Sequence, residues 1–141
     1  MILLASDHGG HQLKEYIKKY LEEKGIEYKD FGCDSEESCD YPDYAHDAAN
    51  QIKDGDFGIF ICGTGNGINM TANAHNNVRS ALCWMPTIAK LARAHNNANV
   101  LALPGRFMDK ITAFNCVNEF LNTKFEGGRH QKRIDKIKVY Q

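Results

Sequence analysis

The stretch Gly58-Ile59-Phe60-Ile61-Cys62-Gly63-Thr64-Gly65-Asn66-Gly67-Ile68 constrains this chain more than any other. It begins as an uninterrupted apolar run, as expected of a strand buried on both faces of a parallel sheet. It breaks into a turn with glycine at 63, 65 and 67, then resumes with Ile68, Met70 and Ala72 at helical spacing. Glycines there let backbone N–H groups converge on one space, and a following helix N-terminus adds partial positive charge. Such a turn suits a phosphate or a developing oxyanion. Cys62 falls at the strand's carboxyl tip, where α/β proteins place their chemistry. Taken alone it is equally a small buried hydrophobe.

The same alternation recurs along the chain. Ile2 to Ala5 reads as a strand, followed by the polar turn Ser6-Asp7-His8-Gly9-Gly10. Leu13, Ile17, Tyr20 and Leu21 then mark a helix, with Lys14, Glu15, Lys18, Lys19 and Glu22 assigned to its outer face. Ile26 to Phe31 is mixed in polarity, as in an outer strand. A helix opens at Asp40-Tyr41-Pro42-Asp43, with Ala45, Ala48, Ala49 and Ile52 inward. After the Phe57–Cys62 strand come a helix from Asn66 to Ala74, a strand from Val78 to Cys83, and a helix opened by Pro86. Ile88, Leu91, Ala92 and His95 form its expected inner stripe. Asn99 to Leu103 is the fifth strand. Ile111, Phe114, Val117 and Leu121 line the next helix, and a short basic helix closes the chain. Five β-α alternations predict a three-layer, Rossmann-like α/β fold, with a five-stranded parallel sheet, helices on both faces and a helical tail. The expectation is a single domain over 1–141.

Ligands bind such sheets outside the carboxyl ends of the strands. That rule gathers Asp7-His8, Cys62 to Gly67 and the Arg106 turn into one neighbourhood. Asp7 there is either an acid–base partner or a cap for backbone N–H groups. His8 and His11 have H-x-x-H spacing, but no third ligand accompanies them, so no metal is assigned. His95 closes a helix, where a histidine also simply complements the dipole. Arg129 and Arg133 lie four apart on one helical face, a match for phosphate oxygens or a solvated basic tail. A formal charge of −1 argues against nucleic acid as partner. No apolar run approaches the roughly 20 residues of a membrane helix, and five scattered cysteines without a paired spacing suit a reducing compartment. A cytoplasmic protein is expected.

Five segments occur together in one family. Ser6-Asp7-His8-Gly9-Gly10, Asp40-Tyr41-Pro42-Asp43-Tyr44, Ile61 to Gly67, His95-Asn96-Asn97-Ala98-Asn99-Val100-Leu101 and Phe125-Glu126-Gly127-Gly128-Arg129-His130 resemble ribose-5-phosphate isomerase type B, in the same order and over nearly the whole chain. The wider family includes allose-6-phosphate and galactose-6-phosphate isomerases. The resemblance implies an aldose–ketose isomerase needing no metal or cofactor, working as a dimer or tetramer with sites at the subunit interface. It implies Cys62 as the general base between C1 and C2. Gly63, Thr64, Gly65, Asn66 and Gly67 would hold the enediolate oxygens. His95, assisted by Asp7, would open the furanose ring, and Asn96 would hold substrate oxygens. His8, Arg129 and Arg133 would bind phosphate, and Arg106 would contact substrate. It further implies that His95, Asn96 and Arg106 come from the partner subunit. Some relatives use a glutamate at the start of the helix after the loop; here Asn69 to Thr71 offers no acid, so Cys62 remains. Trp84-Met85-Pro86-Thr87-Ile88 replaces a more polar run of the family and bears on substrate size. The reading from another class is a phosphate- or nucleotide-binding module without catalysis.

Overall fold

The computed structural model describes residues 1–139 of the 141, so the last two residues of the expected domain lie outside the described residues. Three apolar runs become the central strands: β1 (Ile2–Ser6), β3 (Phe57–Cys62) and β5 (Val100–Pro104), buried almost throughout. Their continuous hydrophobicity fits strands covered on both faces. Two shorter, half-exposed strands, β2 (Tyr28–Asp30) and β4 (Ser80–Leu82), form the edges. The helices are α1 (His11–Glu23), α2 (Tyr41–Asn50), α3 (Asn66–Asn73), α4 (Pro86–Ala94), α5 (Lys110–Asn122) and α6 (Arg129–Ile134). The sheet is parallel throughout, in the order β2-β1-β3-β5-β4.

This order carries functional information. From β1 the chain crosses outward to β2, whereas from β3 it crosses the other way to β4. The direction therefore reverses between β1 and β3, and a crevice opens at their carboxyl ends. The loops after β1 and β3 meet there.

The two layers differ in composition. Leu13, Ile17 and Leu21 of α1, Ala89 and Ala92 of α4, and Cys116, Val117 and Phe120 of α5 pack with Leu4, Ile59 and Leu101 on one face. Alanines 45, 48, 49 and 72, with Ile68, bring α2 and α3 close to Phe60, Val100 and Ala102 on the other. Two inner stripes are rotated from expectation. In α4 the alanines 89, 92 and 94 are buried and Leu91 is exposed, since α4 packs closely through its small residues. In α5 the buried stripe is Ala113, Cys116, Val117 and Phe120, leaving Ile111 exposed while Phe114 stacks on Tyr20 at 4.7 Å.

Lys14 corrects a further expectation. Its side chain is wholly buried rather than outward. The ammonium donates to Asp30 Oδ1 and to the Cys33 carbonyl, each at 2.7 Å, and Lys18 reaches Asp30 Oδ2 at 3.0 Å. A buried ammonium is tolerable only with such partners. Burial alone would raise the Asp30 carboxyl; Lys14, the Gly32 amide and Lys18 outweigh it and hold Asp30 below its ordinary range.

Candidate active site

Cys62 is the last residue of β3, and its carbonyl accepts from the Gly105 amide at 2.8 Å. The thiol lies among residues of the α2–α3 layer with 4 % of the residue exposed. Gly65 precedes α3 with φ +79°, and a Cβ there would run into the Leu82 side chain and the Leu103 backbone. The turn after Cys62 is thus possible only with glycine at this position. Thr64 Oγ1 accepts from the Asn66 amide at 3.2 Å, so the hydroxyl proton remains free to donate outward.

The β1 loop packs directly on this turn. A Cβ on Gly10 would strike the Ile61 carbonyl, and one on Gly9 would lie 3.0 Å from the Gly63 nitrogen. Asp7 is nearly buried, and its Oδ1 accepts from the amides of Gly9 at 2.8 Å and Gly10 at 3.1 Å. One carboxylate oxygen therefore shapes the turn, the bland alternative considered for this residue. His8 Nδ1 accepts from the Cys39 amide at 3.2 Å. That fixes the neutral ring with its proton on Nε2, a donor for an anionic ligand. Cys39 was not singled out in the sequence, because it stands 31 residues from the histidine it orients. His11 turns away to the Cys33 carbonyl, to which its Nδ1 donates at 3.2 Å.

The β5 loop completes this end. Arg106 N donates to the Gly63 carbonyl at 3.0 Å, and its guanidinium runs beside Gly63, with Cδ and Nη1 3.6 Å from where a Cβ would be. Arg106 thus lies beside the Cys62 turn of its own chain, whereas the resemblance implied that the substrate-contacting Arg106 comes from the partner subunit. A groove of about 760 Å³ runs from His8 and Gly9 to Arg106 and Lys110. Lys110 is a cation the sequence reading missed; its only signal was its place four residues beyond Arg106.

The remaining candidates lie elsewhere. α4 runs back against the strands, so His95, its C-cap, sits near the amino end of β5. The His95 ring stacks on His130 at 4.2 Å and 14°. The Asn96 carbonyl accepts from Arg79 Nε at 3.2 Å and Nη2 at 2.9 Å, and the Asn96 side is exposed. Arg129 and Arg133 project from α6, also exposed, on the segment that the Glu126 amide pins to the Ala94 carbonyl at 3.0 Å. Burial, the His95 ring and Arg129 hold His130 below the ordinary imidazole range. The candidates therefore fall into two groups at opposite ends of the sheet. Asp7, His8, the Cys62–Gly67 turn and Arg106 form one; His95, Asn96, Arg129 and Arg133 form the other.

Residues 2–137 match the family model described as ribose/galactose isomerase. The chain belongs to that family. The crystal structure of a ribose 5-phosphate isomerase from Thermotoga maritima is 53% identical, with a TM-score of 0.93, over 96% of this chain and 95% of that one. A ribose-5-phosphate isomerase B structure from Mycoplasma genitalium, with bound ribulose-5-phosphate, is 46% identical with a TM-score of 0.92, covering 96% and 92%. The Escherichia coli ribose-5-phosphate isomerase B is 42% identical over 138 residues, 96% of this chain and 93% of that protein. Among the described residues no helix is long and apolar enough to cross a membrane.

Proposed function

We propose that the chain is an aldose–ketose isomerase interconverting D-ribose 5-phosphate and D-ribulose 5-phosphate. The observation that carries the reading is Cys62 at the tip of β3, under a glycine turn and beside the Asp7-His8 loop, at the point where strand order reverses. The names of its relatives supply the substrate class.

The chemistry follows from the groups present. Once the furanose is open, a base removes the proton on C2 of the aldehyde form, and the electron pair moves through C1 onto O1. The Cys62 thiolate is that base. Amides of the Gly63–Gly67 turn, with the Thr64 hydroxyl, offer donors to the enediolate oxygens where charge develops. A proton passes from O2 to O1, the Cys62 thiol returns its proton to C1, and C2 becomes the ketone. His8 through Nε2–H and Arg106 bind the substrate's anionic groups on this side, and the Asp7 oxygen not drawn into the turn faces ring hydroxyls. Remote phosphate binding then supplies orientation at the reacting carbons. No cofactor enters the scheme.

The second group reaches this crevice from a second copy. In a twofold dimer each chain lends His95 as ring-opening acid, Asn96 as a ligand for substrate oxygens, and Arg129 and Arg133 as phosphate ligands to its partner's Cys62 turn, giving two equivalent sites. Exposed Met70, Trp84, Met85 and Phe107, near the carboxyl end of the sheet, support a partner there. Each chain is read as a single domain over 1–141 of a cytoplasmic dimer or tetramer.

The test is a coupled assay on D-ribose 5-phosphate with chelator present, beside allose and galactose 6-phosphates. Chelator-insensitive turnover of the ribose ester is expected. Turnover of a six-carbon ester alone would shift the substrate and point to the Trp84–Ile88 segment. No turnover of any by folded, reduced protein would sink the isomerase in favour of a binding module.

A further inference from the structure

We infer that His95, Glu126 and His130 form a binding site for a divalent transition-metal ion of the zinc type, built at the junction of α4 and α6. One nitrogen of each histidine and one oxygen of the glutamate lie within 4.8 Å of one another, and this is the one such trio among the described residues. Glu126 Oε1 stands 3.5 Å from His130 Nε2 and 3.9 Å from His95 Nε2.

These separations suit a shared ion. Zinc bonds of about 2.0–2.2 Å to nitrogen and oxygen put tetrahedral ligands roughly 3.3–3.6 Å apart. The Glu126–His130 pair is already at that spacing, whereas the half-exposed His95 ring, stacked nearly parallel on His130, must swing out of the stack before both ring planes pass through one ion. Two imidazoles and a carboxylate are a borderline donor set, matched to zinc, cobalt or copper rather than magnesium or calcium.

A second observation points to a ligand. His130 is 7 % exposed, yet its Nε2 has no hydrogen-bond partner, and at 3.5 Å the glutamate is too far to serve well. Buried polar atoms left unpaired are uncommon and call for an occupant. The atom faces the carboxylate and the second imidazole. The chain path also brings the three residues together. The Glu126 amide is pinned to the Ala94 carbonyl at 3.0 Å, one residue before His95. Gly127 and Gly128, at φ +70° and +56°, turn the chain so that His130 comes back over His95. Three protein ligands leave a fourth position open, the pattern of an exchangeable rather than a structural ion.

One consequence rests on the proposed role of His95. A ring whose Nε2 is bound to metal can neither deliver nor accept a proton there, so the ion acts as a reversible inhibitor of ring opening. The site itself stands apart from that role.

Zinc binding to the reduced, full-length protein is measured by calorimetry, and cobalt by its visible spectrum, in wild type, Glu126→Gln and His130→Phe. The phenylalanine retains a ring to stack on His95. Wild type is expected to bind one ion per chain, with a tetrahedral cobalt spectrum lacking thiolate charge transfer. Each variant is expected to weaken binding at least tenfold, as loss of a ligand exceeds the roughly 10–100-fold effect of losing an outer-shell partner. Equal binding in all three proteins, no binding to wild type, or a thiolate band implicating cysteine would overturn the site. Turnover on D-ribose 5-phosphate with and without zinc is read in parallel. Binding as expected with zinc-insensitive turnover upholds the site and removes His95 from the ring-opening step. Zinc sensitivity lost in both variants upholds both.

Discussion

Cys62 combines two demands that usually conflict, burial in a packed layer and access to a substrate carbon. Its place at the last position of β3 reconciles them, since the strand is buried and the turn is open. Cys62→Ala should lower turnover by about 10²–10⁴-fold, the usual share of a general base, with the far-ultraviolet spectrum unchanged. Retained turnover would remove the cysteine from the mechanism. The other buried thiols provide a contrast. Burial pushes Cys83 up to about 12 and Cys116 up to about 11. Both stay protonated near pH 8, so alkylation of native protein followed by peptide mass spectrometry should leave them unmodified until denaturant is added. Gly65 tests backbone rather than chemistry. Gly65→Ala forces a side chain at positive φ against Leu82 and should cost about 1–3 kcal/mol in urea unfolding. The glycine pattern, Cys62, Asp7 and His8 were readable because turn chemistry is local. Cys39, Lys110 and the burial of His130 were not, because Cys39 and Lys110 meet His8 and its groove, and His130 meets His95, only through tertiary packing.

At the scale of elements, α1 is fastened to the β2 edge by Lys14 and Lys18 on Asp30. Spacing already put Lys14 on the inner stripe, three and seven residues before Ile17 and Leu21. Residue type argued it outward, and only the carboxylate brought by β2 makes its burial tolerable. Lys14→Ala should destabilise the fold by about 2–3 kcal/mol, measured by chemical denaturation, because Asp30 keeps Lys18 while Asp30 Oδ1 and the Cys33 carbonyl lose a buried, charged donor. A cost under 1 kcal/mol would mean water serves Asp30 and Cys33 equally well. The sign of the pH effect follows from the depressed Asp30 carboxyl. Its contribution is complete above the ordinary carboxylate value near ~4 and is lost as pH falls through the lower folded value. The stability advantage over Asp30→Asn should therefore shrink across that acid window and stay flat from pH 5 to 7. The rotated stripes of α4 and α5 belong here too. Apolar spacing marked Leu91 and Ile111 as core, but small residues won the close contacts and left both exposed.

For the whole molecule, the separation of the two residue groups makes a direct prediction about assembly. Cys62→Ala and His95→Ala should each be nearly inactive alone. Unfolded together and refolded, they should recover ~25% of wild-type turnover, since half the dimers are mixed and each carries one intact site of two. No recovery from confirmed mixed dimers would mean that Cys62 and His95 do not serve one shared site. The same experiment separates Arg106, which belongs with Cys62 by position, from Arg129 and Arg133, which belong with His95. Arg106→Ala should be rescued by His95→Ala chains and not by Cys62→Ala chains.

Sequence by itself determined the α/β class, the central strands to within a residue at each end, and the turn that carries Cys62. Those are consequences of continuous apolar runs, helical spacing and glycine backbone freedom, all set within a dozen residues. Tertiary structure alone decided the strand order, hence the β1/β3 crevice, and that Arg106 shares an end with Cys62. It alone decided the pairing of Lys14 with Asp30 and the stacking of His95 on His130. Those depend on which distant segments pack together, and packing free energy is a property of the assembled core that no local window contains.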